Sequence, residues 1–128
     1  MDFRKLLIGL FSVIPQMINV CVELQFEENK KYSKDASLPP RACVEVLNGT
    51  NAHDILEAAA NHHPCYNFTA LNTAYGRMIT SICDIEQRPA DKYYWVIYVD
   101  GKSAPVGIDD LRPADGSILR FQYKQLKW

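Results

Sequence analysis

The chain has 128 residues, a length that suits one domain, and its hydrophobic fraction of 48 % and charged fraction of 23 % are those of a globular protein. Its formal net charge is −1, so it lacks the basic surface that binds nucleic acid or an anionic membrane, and we expect neither as a partner. The sequence contains no internal repeat and no low-complexity segment.

The N-terminus has the pattern of a secretory signal peptide. Two basic residues precede an apolar run at residues 6–14, which is too short to span a bilayer but suits the core of a signal peptide. Asn19 and Cys21 are the only cleavage candidates near a small-residue pattern. We expect a signal peptide at residues 1–21 and a mature domain at residues 22–128. The alternative is a buried N-terminal helix.

The elements that follow alternate between strand and helix patterns. Asn51 or Thr50 can cap a helix whose apolar residues include Ile55, Leu56 and Ala59. Period-two alternation and turn residues predict strands at 20–26, 42–47 and 117–124, and a hairpin at 68–85 that bends near Tyr75-Gly76. Aromatic and β-branched composition predicts a further strand at 93–99. We predict an α+β fold, with mainly antiparallel sheets, one helix packed on them and a β-grasp-like order.

The strand at residues 93–99 is apolar on both faces. Trp95 and its alternate neighbours share one face, while Tyr94 and Tyr98 lie on the other. Such a strand is either covered on both sides or lends one face to a ligand or partner. Both interpretations of Tyr94, Trp95 and Tyr98 stay open on the pattern alone, with burial in the core favoured.

The four cysteines indicate disulfides rather than metal or redox chemistry, because no two of them form a C-x-x-C pair. The predicted hairpin brings Cys65 and Cys83 together, and a bond there would stabilise the fold by about 3 kcal/mol. Cys21 would then pair with Cys43 if Cys21 survives processing. Otherwise Cys43 is a spare thiol.

Two glycosylation sequons support secretion. One begins at Asn48 and the other at Asn67. Each triplet alone is common, but together with the signal-like start and the cysteines they predict a secreted, extracellular glycoprotein.

No arrangement of residues predicts catalysis or a metal site. His53 lies nine residues before His62, which is not the spacing that places two imidazoles on one helix face. Aspartates crowd the C-terminal loops without a calcium-binding pattern, so turn chemistry explains them better. Motifs for a nucleophilic serine and for a phosphate-binding loop are missing too, so we expect no enzyme, no metal and no covalently bound cofactor.

Several segments of the chain resemble a known family in their order and spacing. They are residues 94–102 (YWVIYVDGK), 104–108 (APVGI) and 115–119 (DGSIL), preceded by matching stretches at 44–56 and 75–82. Over residues 20–124 the chain resembles the transcobalamin-like C-terminal domain, the small β-rich domain that ends intrinsic factor, transcobalamin and haptocorrin.

The resemblance implies non-covalent binding of cobalamin (vitamin B12). In the family's vertebrate carriers the corrinoid lies between a helical domain and this small domain. Carried over by position, the contact residues are Tyr94 and Trp95 on the strand, and the loop of Pro105, Val106 and Gly107. Tyr98, an aromatic residue of the same strand, is a further candidate for ligand contact.

The chain departs from the carriers in two ways. Leu111 stands where the carriers often have an aromatic residue, and the helical domain is missing. A half-site of this kind is expected to bind weakly, because the buried area that offsets lost translational freedom is roughly halved.

The resulting hypothesis is a secreted cobalamin-binding or transport protein, whose partner is cobalamin or a related corrinoid and which a separate helical protein or a cell-surface receptor completes. The alternative is a secreted protein-interaction module that has lost corrinoid binding. An exposed Trp95, or Tyr98 beside Gly107, would favour the first, and a buried Trp95 with a polar loop would favour the second. A protease inhibitor is disfavoured because the sequence lacks Q-x-V-x-G.

Overall fold

A computed structural model describes residues 16–26 and 39–127. Residues 1–15 of the predicted signal peptide lie outside these ranges. Within them the chain forms eight strands, one α-helix and two 3-10 helices at Pro64–Tyr66 and Pro89–Asp91. In chain order these are β1 Met17–Phe26, β2 Ala42–Leu47, α1 Ala52–His62, β3 Phe68–Thr73, β4 Gly76–Ile82, β5 Ile85–Glu86, β6 Tyr93–Val99, β7 Lys102–Ser103 and β8 Ile118–Gln125.

The strands form two sheets. The larger sheet has the order β2-β1-β8-β6-β7, and the smaller one the order β3-β4-β5. All neighbours pair antiparallel except β1 and β8, which run parallel in the middle of the larger sheet. The predicted α+β class with one helix and mainly antiparallel sheets is therefore confirmed.

One face of the five-stranded sheet forms the core. Alternate side chains of β1 and β8 are buried there, as period two requires, and α1 packs its own apolar stripe against them. The buried residues of these three elements are Ile18, Val20, Val22, Leu24, Ala52, Ile55, Leu56, Ala59, Leu119, Phe121 and Tyr123.

Tyr66 joins the connection after α1 to the core. Its ring is fully buried, and its hydroxyl donates to the carbonyl oxygens of Val22 at 3.0 Å and Pro40 at 2.8 Å. Burial raises the pKa of Tyr66 to about 12, so the hydroxyl stays a neutral donor. This bond holds the segment before β3 against β1.

The start of α1 follows the sequence closely. Asn51 is the N-cap, and its side-chain oxygen accepts from the backbone N–H of Asp54 at 2.9 Å. The Asn51 amide group also donates to the backbone oxygen of Asp109 at 3.2 Å. The same cap therefore orients the helix and holds the loop that follows β7.

The hairpin of β3 and β4 bends at Tyr75-Gly76 as predicted, but its faces differ from the expectation. Thr69 pairs with Ser81 while Ala70 pairs with Ile79, so β4 carries one extra residue. Period-two alternation in the hairpin sequence predicts that Met78, Thr80 and Ile82 share one face. Because of the bulge, Ile79 and Ile82 are buried instead, and Met78 is 40 % exposed.

Both predicted disulfides are present, Cys65 with Cys83 and Cys21 with Cys43. Cys21 lies within β1, whose residues up to Val22 pair with β2 and whose residues from Cys21 onward pair with β8. Cleavage after Cys21 stays a prediction. It would remove most of the β1–β2 pairing and one disulfide.

Candidate ligand surface and groove

Trp95 faces the core of the five-stranded sheet. Its side chain is only 6 % exposed, and its indole Nε1 donates to the backbone oxygen of Ile85 at 2.9 Å. Its ring lies 5.0 Å from the ring of Tyr123, centroid to centroid. This is the core role that the sequence left open, and a ligand would reach the ring only after a rearrangement.

Tyr94 and Tyr98 lie half-buried on the opposite face of β6. Tyr94 pairs with Lys124 of β8, and Tyr98 pairs with Arg120 on one side and Ser103 of β7 on the other. The Lys124 ammonium donates to the Tyr98 hydroxyl at 3.1 Å and lies 5.8 Å from the centre of its ring. Tyr98 thus offers a partly exposed ring on the face opposite the core, beside Ser103, which ends β7 and precedes the loop.

The loop of Pro105, Val106 and Gly107 is exposed, and Val106 is 44 % exposed. Hydrogen bonds fix both of its ends. Ala104 N–H donates to Ile97 oxygen at 3.0 Å, and Leu111 N–H donates to Gly107 oxygen at 3.0 Å. The loop therefore presents an apolar side chain from a fixed backbone.

Gly107 leaves open space above its backbone. A Cβ placed at Gly107 would meet no atom within 4 Å, and its φ lies outside the left-handed region. The residue is therefore not needed for the loop's conformation. This placement suits the predicted role, in which a ligand approaches the bare backbone closely.

An ion pair joins this loop to the β3–β4 hairpin. Arg77 Nε donates to Asp109 Oδ1 and the Arg77 backbone N–H donates to Oδ2, both at 2.7 Å. These hydrogen bonds hold the pKa of the Asp109 carboxyl below its usual value. Asp109, which the sequence assigned to turn chemistry, is thus the link between hairpin and loop.

The hairpin carries exposed apolar side chains that sequence reasoning missed as candidates. Tyr75 at the bend is 99 % exposed, Leu71 is 56 % exposed and Met78 is 40 % exposed. Leu71 and Met78 are directly opposite each other in the hairpin. An aromatic residue at a hairpin bend was the one available signal. We call Leu71, Tyr75, Met78 and Val106 the hairpin–loop end, because the Arg77–Asp109 pair holds the two segments together.

A polar groove of about 550 Å³ runs between α1 and the β3–β4 hairpin. Its lining includes His53, Asn61, Asn67, Phe68, Asn72 and Arg77. None of the predicted contact residues on β6 or the loop lines it. The sequence could not reveal this groove, because its two walls are brought together only by the packing of the hairpin against α1.

Hydrogen bonds on both sides determine the tautomer of His53. Its Nε2 lies 3.0 Å from a terminal nitrogen of Arg77, and its Nδ1 lies 2.8 Å from Asp54 Oδ1. A guanidinium only donates, so Nε2 accepts and Nδ1 carries the proton that it donates to Asp54.

Among the described residues, one cluster combines metal-ligand types. Ligand atoms of His53, Asp54 and Glu57 lie within 4.8 Å of one another. A cation bound at Nδ1 would move the imidazole proton to Nε2, where it would face the donating nitrogen of Arg77. The cluster as arranged does not fit a metal ion.

Within the described ranges, the longest helix is α1 with 11 residues, and no helix has the length and apolar run that crossing a membrane requires.

Comparisons with known proteins agree with this architecture. A family model described as "Domain of unknown function (DUF4430)" matches residues 49–125. A crystal structure of haptocorrin in complex with Cbi matches with a TM-score of 0.73 and 20 % identity over 89 % of this chain. The chain spans about a quarter of haptocorrin's length, 26 %. It has the fold of a transcobalamin-like small domain.

A second structure matches over nearly its whole length. A Ruminococcus gnavus protein described as a "putative metal binding protein" has a TM-score of 0.62 and 14 % identity, over 86 % of this chain and 99 % of its own. No curated protein matches the chain.

Proposed function

The chain belongs to the DUF4430 family and has the fold of a transcobalamin-like small domain, and from this premise we propose that it is a secreted, non-catalytic cobalamin-binding protein. Corrinoid binding by haptocorrin, whose small domain shares this backbone, supports the ligand class. The observation that carries the proposal is the exposed apolar loop at Pro105–Gly107 on that backbone. No step of catalysis is needed, because the loop offers only apolar and backbone contacts.

The ligand surface that we propose consists of Pro105, Val106 and Gly107, with Tyr98 beside them. Tyr94 lies further along β6 and extends the surface, and Trp95 supports it from the core side. Apolar contact of this kind contributes roughly 25 cal/mol per Å² removed from water.

A buried Trp95 together with a polar loop would favour a protein-interaction module, and only the first of these two conditions is met. Trp95 is buried, but the loop is apolar rather than polar, with Val106 exposed. The exposed loop offers apolar and backbone contacts to a ligand, so the corrinoid proposal is the better supported one.

We propose that this surface is part of a larger binding site, which a separate helical protein or a cell-surface receptor completes. On the loop and β6 alone, a corrinoid would keep much of its surface in water. Affinity of about micromolar strength is expected for such a contact, since only the surplus over lost translational freedom appears as binding.

Secretion agrees with the chemistry of the chain. All four cysteines form disulfides, which persist in oxidising compartments, and the predicted sequons at Asn48 and Asn67 are both on exposed residues. We also infer that the order β2-β1-β8-β6-β7, with its central parallel pair and α1 across one face, is a β-grasp arrangement.

The test is a titration of the purified secreted protein with cobalamin, followed by calorimetry and by the absorbance of the corrin ring. Saturable binding is expected, and Val106→Asp should weaken it about tenfold or more, because the ligand would desolvate the new charge. The matched control is Leu47→Asp, since Leu47 is 50 % exposed at the end of β2. An absence of saturable binding, or equal affinity for Val106→Asp and its parent, would refute the proposal.

A further inference from the structure

The second sequon, at Asn67, begins beside the polar groove rather than on open surface. Asn67 follows the 3-10 helix Pro64–Tyr66 and directly precedes β3, and its exposed side chain is part of the groove's lining. Its backbone is fixed, because its N–H donates to Pro64 oxygen and its carbonyl accepts from the N–H of Cys83, both at 3.0 Å. The direction of anything attached to this side chain is therefore constrained.

The groove has the chemistry of a sugar site. Besides the attachment site Asn67, Asn61 and Asn72 bring two amides, which both donate and accept hydrogen bonds, as sugar hydroxyl and acetamido groups do. Phe68 adds an aromatic surface, held in place by the ring of His53, whose centroid lies 5.2 Å away in an edge-to-face arrangement. The volume of about 550 Å³ lies within the range of about 300–1,000 Å³ in which protein pockets hold small ligands.

We propose that the first N-acetylglucosamine of a glycan on Asn67 is seated in this groove, as a permanent, covalently attached occupant. The inference rests on the proposed secretion, since attachment needs the secretory pathway. There a lipid-linked oligosaccharide diphosphate is the donor. The bond between its anomeric carbon and the phosphate oxygen breaks, the bond to Asn67 Nδ2 forms, and Nδ2 loses one proton.

The sequon must be used before the hairpin closes. In the folded chain the Thr69 hydroxyl is within 2.6 Å of Thr80 Oγ1 and 2.7 Å of Ser81 Oγ. The hairpin then folds with the sugar already attached at its base, and the groove closes around it.

The first sequon supplies an internal control. Asn48 lies in the exposed turn between β2 and α1, and a Cβ on the neighbouring Gly49 would meet no atom within 4 Å. A glycan on Asn48 therefore projects into solvent, while the same glycan on Asn67 is held against protein.

The experiment uses the full chain secreted from animal cells and an amidase that releases N-glycans at the asparagine, followed by mass spectrometry of each glycopeptide. On native protein we expect release of the glycan from Asn67 to be about tenfold slower than release from Asn48. This ratio corresponds to a sugar that is outside the groove about a tenth of the time. After denaturation both sites should be released equally.

Two variants of adjacent residues locate the effect. Ala70→Trp places a large ring in the groove that Ala70 lines, whereas Leu71→Trp places it on the opposite face of β3. Ala70→Trp should raise release from Asn67 to the Asn48 rate, and Leu71→Trp should not. An unmodified Asn67, equal native release at the two sites, or no effect of Ala70→Trp would each overturn the proposal. None of these measurements uses cobalamin, so they stand or fall separately from the proposed vitamin binding.

Discussion

The two sheets are held together by different means. The five-stranded sheet buries one face of its strands β2, β1 and β8, and fully buried side chains such as Phe121 and Leu119 lie on its central strand β8. In the three-stranded sheet nearly all of β3 is exposed, and only Ile79 and Ile82 of β4 are buried. The small sheet depends instead on a disulfide, the Arg77–Asp109 pair and the Trp95 hydrogen bond.

This difference means that the larger sheet provides stability, while the exposed hairpin–loop end is available for ligand contact. Burial on the scale of the larger sheet supplies most of a small domain's stability, so its side chains are committed to the core. The hairpin–loop end keeps its apolar side chains exposed because the bonds that fix it are covalent or polar. Substitutions in each region, together with a change of pH, break or sharpen this comparison.

The largest effect is expected in the five-stranded sheet. Trp95→Ala should lower the free energy of unfolding by about 3–5 kcal/mol, because it leaves a cavity and removes the donor to Ile85 oxygen. Leu71→Ala, on the exposed face of the hairpin, should change it by less than about 0.5 kcal/mol. Urea unfolding followed by circular dichroism checks both, and equal effects would contradict the distinction between the sheets.

The next effect concerns the disulfide of the small sheet. Replacing Cys65 and Cys83 by Ala should cost about 3 kcal/mol on the loop-entropy model, with a sequence separation of 18 residues. Hydrogen exchange should accelerate in β3 and β4 but stay slow in β1 and β8, whose bonds lie in the buried sheet. Equal acceleration in all four strands would show that the two sheets unfold as one unit.

Acid should loosen the hairpin–loop contact. Hydrogen bonds from Arg77 lower the folded pKa of Asp109 below its ordinary value of 3.8. Because the folded pKa is lowered, the stabilisation that the Asp109 carboxylate contributes is fully present above its ordinary pKa. It is lost as the pH falls through the lower folded pKa. The hydrogen-exchange protection factor of the Arg77 amide, whose N–H donates to Asp109, should therefore fall below about pH 3.8. Asp109→Asn should abolish that pH dependence.

Glu23 is the corresponding carboxylate of the five-stranded sheet. Partial burial works to raise its pKa, but hydrogen bonds from Arg120 and Arg41 outweigh burial and hold the pKa below its ordinary value of 4.5. The stabilisation that Glu23 contributes is likewise present above its ordinary pKa and is lost as the pH falls through the lower folded pKa. Glu23→Gln should leave the acid response of the Arg77 amide unchanged, since Glu23 lies on the other sheet.

The smallest structural effect is expected at Gly107. Gly107→Ala should change the free energy of unfolding by less than about 0.5 kcal/mol, because the added Cβ meets no atom within 4 Å. If a corrinoid approaches this backbone, the same methyl group should weaken cobalamin binding in the calorimetric titration. A variant that binds as well as its parent would remove Gly107 from the proposed surface.

The sequence by itself determined the local features of this protein. Period-two alternation located β1, β2 and β8, because a half-buried strand needs one apolar face. The cap at Asn51 and the bend at Tyr75-Gly76 were recognisable because they depend on side-chain and backbone chemistry within a few residues. The disulfide of Cys65 with Cys83 followed from that bend.

Only the tertiary structure decided what depends on distant segments. Alternation shows which residues share a face, but not which face becomes covered. Whether Trp95 is buried was therefore decided only by the packing of β8 and β5 against it. The parallel pairing of β1 with β8 and the Arg77–Asp109 pair join residues far apart in the chain. The bulge at Thr80 and the groove beside Asn67 arise from packing between whole elements, and no local pattern records packing of that kind.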